Sequence, residues 1–305
     1  MAAPLLTKKI RRKTTLKTLE VKSDFSFLNR SSIERNIKEM FNYHFGEEIA
    51  EKIAENEIKE YYFKALNELQ STKIPFDNNE ILIVFDSEEL CNLLIEHKTL
   101  DKEDTDNNKH IFPENERDEV IYKITKAIEL LKVLNPVLSS MITRHFGTIY
   151  VAKKKGFGGG TVSSLLGLLW LNPPKKWNIV DYAEALYHEF IHNSLFLDDM
   201  VNSIFPDPEK CTDPEALTTS TILKKKRPID RSFHAANVAI GIMHFYYMLG
   251  DPKQAYKYKE DLNLTINELN QRTQFFGERG LEILEQMNHF NKNYDFDSIT
   301  HNLNN

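Results

Sequence analysis

The residues best suited to chemistry form one short motif, His188-Glu189-Phe190-Ile191-His192. On an α-helix, residues four positions apart differ by about 40° around the axis and about 6 Å along it, so both imidazoles can bind one ion. Glu189 lies about 100° around the helix from His188, where its carboxylate could act on a metal-bound water. The pattern therefore predicts a mononuclear metal site with an acid–base group beside it.

Two protein ligands rarely complete such a site, and two residues after the motif are candidates for the third ligand. The sequence Asn193-Ser194-Leu195 after the motif excludes the metzincin continuation, which needs Gly and a third His. Glu215 follows His192 by 23 residues, a spacing that suits a glutamate ligand on a second helix. His234 follows it by 42 residues. Spacing alone leaves both open, and a core histidine that binds no metal is a further interpretation of His234.

The segment before His234 breaks a local rule. Pro228 suits the first position of a helix, which would put Arg227 at the cap and Arg231 in the first turn. A positive charge there opposes the helix dipole. Arg231 and His234 are three residues apart and would share a helix face. A bound anion near the helix start would resolve the conflict, and a solvated basic loop is the alternative.

In this order the residues resemble the bacterial HExxH-motif peptide-modification proteins, a family of 2-oxoglutarate-dependent peptide β-hydroxylases. The resemblance covers roughly residues 120 to 285. It consists of an apolar strand, the motif at 188–192, and then Arg227, Pro228, Ile229 and His234. Two positions depart from the family's pattern. Arg231 stands where the family has Gly. The family also has an aromatic residue, a Ser and a Pro-Trp pair before the Arg-Pro stretch, and of these the segment Thr219–Ile222 keeps only the Ser.

The resemblance implies an Fe(II)/2-oxoglutarate-dependent dioxygenase that hydroxylates the β-carbon of a side chain in a peptide, such as a ribosomally made precursor. His188, His192 and His234 would hold the iron. Three protein ligands on an octahedral ion leave two positions for 2-oxoglutarate and one for O₂. Arg227, or as second choice Arg231, would bind the distal carboxylate of 2-oxoglutarate. Glu189 would be an acid–base catalytic group or a carboxylate behind the ligands.

Two alternatives to the oxygenase remain open. The motif also fits a zinc metallopeptidase in which Glu215 is the third ligand and Glu189 is the general base. A non-enzymatic, metal-stabilised interaction protein is the other alternative, because the charge is segregated along the chain. Residues 1–23 hold seven basic residues and only Glu20 against them, a net of +6, so the remainder of the −6 chain carries −12.

The whole chain limits the class of protein. Its 305 residues with 41% hydrophobic content can bury a sizeable core. Two cysteines provide no disulfide framework, which favours a reduced, cytoplasmic setting. An acidic body does not suit duplex binding, and no apolar stretch reaches the roughly 18–20 residues of a membrane span. We therefore expect neither nucleic acid nor membrane as a partner; the sequence does not predict the oligomeric state.

The periodicity predicts an α+β fold that is predominantly helical, with a small sheet beside the motif helix. We expect a flexible basic arm at 1–23, a mostly helical region at 24–110 and a metal-binding catalytic domain at 111–305, with the polar stretch 101–109 as linker. Ser31 and Glu34 predict a capping box. The predicted strands are 81–85, 148–151 and 161–171, with a mobile glycine loop at 156–160. The last strand could form a sheet edge that receives an extended peptide.

Overall fold

The computed structural model describes residues 24–156 and 158–305, and helices dominate them. This confirms the predicted α+β, predominantly helical class. The α-helices are α1 (Arg30–Phe45), α2 (Glu47–Ala50), α3 (Ile58–Gln70), α4 (Glu88–Glu96), α5 (Lys102–Thr105), α6 (Glu114–Leu134), α7 (Pro136–His145), α8 (Ile179–Asn202), α9 (Ile229–Met248), α10 (Pro252–Ala255), α11 (Lys259–Asn270), α12 (Glu278–Asn293) and α13 (Phe296–Asn304). The strands are β1 (Leu82–Val84), β2 (Thr148–Val151), β3 (Gly159–Gly160), β4 (Leu168–Leu171), β5 (Thr218–Thr219) and β6 (Lys226–Arg227).

The described chain forms two compact units. The first unit comprises residues 37–193, and the second comprises residues 24–36 and 194–305. Helices α1 and α8 each contribute residues to both units. The domain division at residues 110 and 111 stays a prediction, and the basic arm at 1–23 lies outside the described residues.

The first unit contains a four-stranded sheet in the order β1-β2-β4-β3. β1, β2 and β4 are parallel, whereas β3 runs antiparallel to β4. All four residues of β2 and of β4 are buried. Burial of both faces explains why β4 is a continuous apolar run and why β2 lacks polar alternation after Thr148.

The glycine loop and the third predicted strand differ from expectation. The predicted strand at 161–171 is wrong over its first seven residues: these are coil and turns that end at Gly167. Gly167 has φ +90, and an added Cβ would lie 2.5 Å from the Phe63 ring, so the chain turns there instead of extending. β4 is paired on both sides, so it offers no free edge. The edge is β3, formed by two residues of the predicted mobile loop.

The start of α1 also corrects the sequence interpretation. Helix α1 begins at Arg30, so Ser31 lies inside it and cannot be its cap. The Asn29 side chain accepts the Ser32 N–H at 2.8 Å instead. Asparagine is as good a cap as serine, and a capping box is only one of the ways to satisfy the first amides.

The second unit is built around α9. Helix α9 is buried from Ser232 to Phe245. A helix that is apolar on every side belongs in a core rather than at a surface. The β5–β6 hairpin leads directly into this helix. None of the described helices has both the length and the apolar character needed to cross a membrane.

Candidate functional site

Helix α8 carries the motif, and its start is defined by a reciprocal cap. The Asn178 side chain accepts the Val180 N–H at 2.7 Å, and the Asp181 carboxylate accepts the Asn178 N–H at 2.7 Å. This arrangement satisfies amides that the first turn leaves without helical partners. Leu186, just before the motif, and Phe190, within it, are fully buried. The cap at the start of α8 and these buried apolar side chains together fix the orientation of the motif helix.

The two motif histidines lie together as their spacing predicts. The ring centroids of His188 and His192 are 5.0 Å apart, and both residues are half-buried. Burial lowers the pKa of His188 to about 4, although 29% of its side chain remains exposed. The His188 imidazole is therefore neutral near pH 7, which is the form that can bind a metal.

Glu189 is the buried acid of the motif. Its side chain is 9% exposed, and burial raises its pKa to about 7. The Thr161 hydroxyl donates to the Glu189 carboxylate at 3.0 Å, and the Thr161 N–H donates to it as well. Both bonds favour the ionised form and offset part of the effect of burial. A carboxyl group with a pKa near neutrality can either give or take a proton.

The sequence interpretation missed two residues that hold the motif in place. Thr161, directly after β3, fixes the Glu189 carboxylate. Asn193, directly after His192, accepts the Gly167 N–H at 3.3 Å and donates to the His145 carbonyl at 3.5 Å. Asn193 is fully buried, so it ties α8 to the turn that precedes β4 and to the end of α7. No local spacing signals either contact, because both partners are distant in sequence.

In the second unit, the basic residues lie at the junction of β6 and α9. Arg227 belongs to β6 and Pro228 is the N-cap, so the predicted register, with Arg227 as the cap, was one residue too early. Arg227 is half-buried, and its pKa is lowered by burial and by the Arg231 charge, while Asp230 acts in the opposite direction. Within the described residues, no carboxylate pairs with the Arg227 guanidinium. Arg231 is exposed.

His234 lies in the second turn of α9 and is 7% exposed. Burial lowers its pKa to about 4, so this imidazole is also neutral near pH 7. Its ring packs against the ring of Phe196 with the centroids 4.6 Å apart. Phe196 lies one helical turn after His192 on α8.

Glu215, the alternative third ligand, differs from expectation. It lies on a short 3₁₀ turn, Pro214–Ala216, rather than on a second α-helix. Its side chain is exposed, while its backbone carbonyl accepts from the Arg272 guanidinium at 2.9 Å. An exposed side chain on a short turn is less constrained than a buried one on a helix, so nothing here orients Glu215 for coordination.

The C-terminal half of α8 is anchored by a buried ion pair in the second unit. The Arg279 Nε lies 3.1 Å from both carboxylate oxygens of Asp198, whose side chain is 1% exposed. The Ser26 hydroxyl donates to the same carboxylate at 2.6 Å. These partners satisfy a charge that would otherwise be very unfavourable in a core.

These residues fit a metal in part. His188 and His192 provide two imidazole rings on one helix face, and the His188 ring is neutral near pH 7. Among residues 24–156 and 158–305, however, no three His, Cys, Asp or Glu side chains are grouped so that they could hold an ion together. The pair is therefore suited to coordination, and a third ligand would have to join it.

Comparison with known proteins adds no relative. No protein-family model matches this chain, and no curated protein sequence matches it. The resemblance drawn from the residues at 188–192 and 227–234 thus stays a prediction.

Proposed function

We propose that this protein is a metal-dependent oxygenase that uses Fe(II) and 2-oxoglutarate to hydroxylate a side chain of a peptide. His188 and His192 would be two of the metal ligands and His234 the third. Iron, when bound, would supply the oxygen chemistry. The chain's own residues would bind the organic acid, orient the peptide and move a proton at Glu189.

The observation that carries this proposal is the environment of the Arg227 guanidinium. The residue is half-buried, its pKa is lowered by burial and by the Arg231 charge, and the Asp230 carboxylate offsets this only in part, without an ion pair to the guanidinium in the described chain. A partly desolvated cation that its surroundings do not fully compensate is costly, and a bound anion would reduce that cost. Arginine binds a carboxylate through two parallel hydrogen bonds, which suits an organic dicarboxylate.

The position of Arg227 relative to His234 supports the same assignment. The two residues flank the start of α9, with Arg227 just before the helix and His234 in its second turn. An anion held by Arg227 would also interact favourably with the helix start, where backbone amides lack helical partners. Binding one carboxylate at Arg227 therefore places the rest of a small acid close to the turn that carries His234.

The experiment measures 2-oxoglutarate binding and turnover in metal-free protein reloaded anaerobically with Fe(II). Calorimetry would give the affinity, and succinate formation after O₂ addition would give the activity. We expect Arg227→Leu to weaken 2-oxoglutarate binding roughly 10- to 100-fold, because a charge-assisted hydrogen bond contributes about 1.5–3 kcal/mol. Lys225→Leu, a nearby exposed cation, is the matched control and should bind normally. Equal affinities in the two variants would refute the role of Arg227.

A zinc hydrolase is the second candidate, and Glu189 favours it. A carboxyl group with a pKa of about 7 suits a general base that takes a proton from an attacking water. The same property serves the oxygenase less directly, since there Glu189 need not exchange a proton with water.

The third ligand distinguishes the two candidates. We expect His234→Ala to abolish Fe(II)-dependent succinate formation and Glu215→Ala to leave it intact. If zinc-loaded protein instead cleaves a mixed peptide substrate, and Glu215→Ala abolishes that cleavage, the hydrolase is correct. Zinc binds most nitrogen sites more tightly than Fe(II), so each metal must be loaded separately.

A further inference from the structure

The outer edge of β3 offers main-chain hydrogen-bonding groups beside Glu189. β3 is the terminal strand of the four-stranded sheet, and Gly159 and Gly160 are only half-buried. The strand pairs on one side with β4, with Gly159 opposite Leu171 and Gly160 opposite Trp170. Its other side therefore decides whether this edge can accept a further strand.

The hydrogen-bond pattern shows which residue faces outward. The Asn172 N–H donates to the Gly158 carbonyl at 2.8 Å, so Gly158 turns its polar groups towards β4. In an antiparallel pair the bonded positions alternate, so Gly160 also faces β4, whereas Gly159 faces away. Within the described residues, no backbone group pairs with the outward N–H and carbonyl of Gly159.

The same edge continues to the candidate catalytic acid. Thr161 is two residues after Gly159, about 7 Å along an extended chain, and its N–H and hydroxyl both donate to Glu189. A strand paired with Gly159 would thus pass beside the Glu189 carboxyl. A Cβ added at Gly160 would meet nothing within 4 Å, so the face of the sheet is open at this residue.

We propose that an extended peptide substrate adds as a strand to the outer edge of β3 and is held through its main chain at Gly159. This inference rests on the proposed peptide-modifying function. A peptide residue opposite Gly159 would exchange both of its main-chain hydrogen bonds, and a residue two positions away would face Thr161 and Glu189. Recognition through the main chain tolerates many side chains but excludes proline, or an N-methylated residue, opposite Gly159.

Isotope labelling can observe this edge directly, without substituting Gly159. A Cβ there would lie 2.6 Å from the Trp170 carbonyl oxygen, so a substitution would distort the edge that the experiment is meant to observe. Glycine labelled with both ¹³C in its carbonyl and ¹⁵N in its amide gives a coupled signal only for a glycine preceded by glycine. The chain has 11 glycines, and only Gly159 and Gly160 meet that condition. Gly160, which faces β4, is the internal control.

The probe is a library of capped random octapeptides at millimolar concentration, compared with the same library methylated at alternate backbone nitrogens. With the unmethylated library, we expect the signal of the Gly159 amide proton to move downfield and its exchange with solvent to slow. With the methylated library this signal should respond far less, and the Gly160 signal should change little with either library. An unmoved Gly159 signal, or an equal response to both libraries, refutes strand addition. Succinate formation is measured separately. Succinate formation with an unchanged Gly159 signal would refute strand addition but not the proposed oxygenase activity. A shifted Gly159 signal without succinate formation would refute the proposed oxygenase activity but not strand addition.

Discussion

Replacing Thr161 by valine should raise the pKa of Glu189. The substitution removes the hydroxyl that donates to the Glu189 carboxylate at 3.0 Å but keeps the shape of the side chain and the backbone donor. A hydrogen bond to an ionised group contributes about 1.5–3 kcal/mol, and a shift of one pKa unit corresponds to about 1.4 kcal/mol. Thr161 is half-buried, so the lower end of that range applies, and we expect a rise of about one unit.

The direction of this shift follows from which form the bond stabilises. The Thr161 hydroxyl stabilises the ionised carboxylate, so its loss favours the protonated form and moves the pKa from about 7 towards about 8. Any activity that needs ionised Glu189 would therefore begin to fall below about pH 8 rather than below about pH 7. Thr161→Ser, which keeps the hydroxyl, is the matched control.

The assay is a ¹³C NMR titration of glutamate carboxyl carbons in metal-free protein, with Glu189→Gln used to identify the signal. The measurement needs neither substrate nor cofactor, so it tests the geometry rather than the function. If Thr161→Val and wild type titrate at the same pH, the hydroxyl does not hold the Glu189 carboxylate in solution and the reasoning fails.

Three further predictions concern stability, each checked by urea unfolding. Gly159→Ala should destabilise the fold by about 1–3 kcal/mol because φ is +152 and the Cβ meets a carbonyl, whereas Gly160→Ala should be nearly neutral; equal effects would contradict the edge geometry. Asp198→Asn should destabilise by about 3 kcal/mol, the lower end of the range for breaking a buried pair, because it leaves the largely buried Arg279 guanidinium with Glu282 as its remaining carboxylate partner. Burial raises the pKa of Asp199 to about 6, so the ionised form is disfavoured in the folded protein. As pH falls from 7 to 5, the free energy of unfolding of the wild type should therefore increase by about 1 kcal/mol relative to that of Asp199→Asn, and this difference should disappear again as pH rises through 6.

The elements that sequence predicts well are those with local causes. The motif pair at His188 and His192 follows from helical spacing, and the burial of α9 follows from its predominantly apolar composition between Phe233 and Phe245. The strand predicted at 161–171 was only partly right, because an apolar run does not reveal the turn that Gly167 makes against Phe63. Short apolar segments are ambiguous in this way whenever tertiary packing decides their conformation.

The parts of the site that sequence did not predict depend on long-range contacts. Thr161 and Glu189 are separated by 28 residues, and Asn193 and Gly167 by 26. The residue type of a threonine or an asparagine does not indicate which group distant in sequence it will hydrogen-bond. The triglycine before Thr161 was the one available signal, and its interpretation as a mobile loop missed that two of its residues form the sheet edge.

The His188 side chain can be tested as a functional residue against a structural one. In the described chain, its imidazole makes no hydrogen bond, and burial lowers its pKa to about 4. A residue kept for stability would have at least one partner, as His145 does: its Nδ1 lies 2.7 Å from the Met141 carbonyl oxygen, and the residue is fully buried. We therefore expect His188→Leu to stabilise the metal-free protein by about 1 kcal/mol while weakening metal binding, and His145→Leu to destabilise it. The opposite signs matter because a half-buried neutral imidazole without a hydrogen bond, as at His188, is less favourable than an apolar side chain unless a ligand completes it. If His188→Leu destabilised the metal-free protein as much as His145→Leu does, His188 would be a core residue, and the argument for a metal at this helix would lose its first ligand.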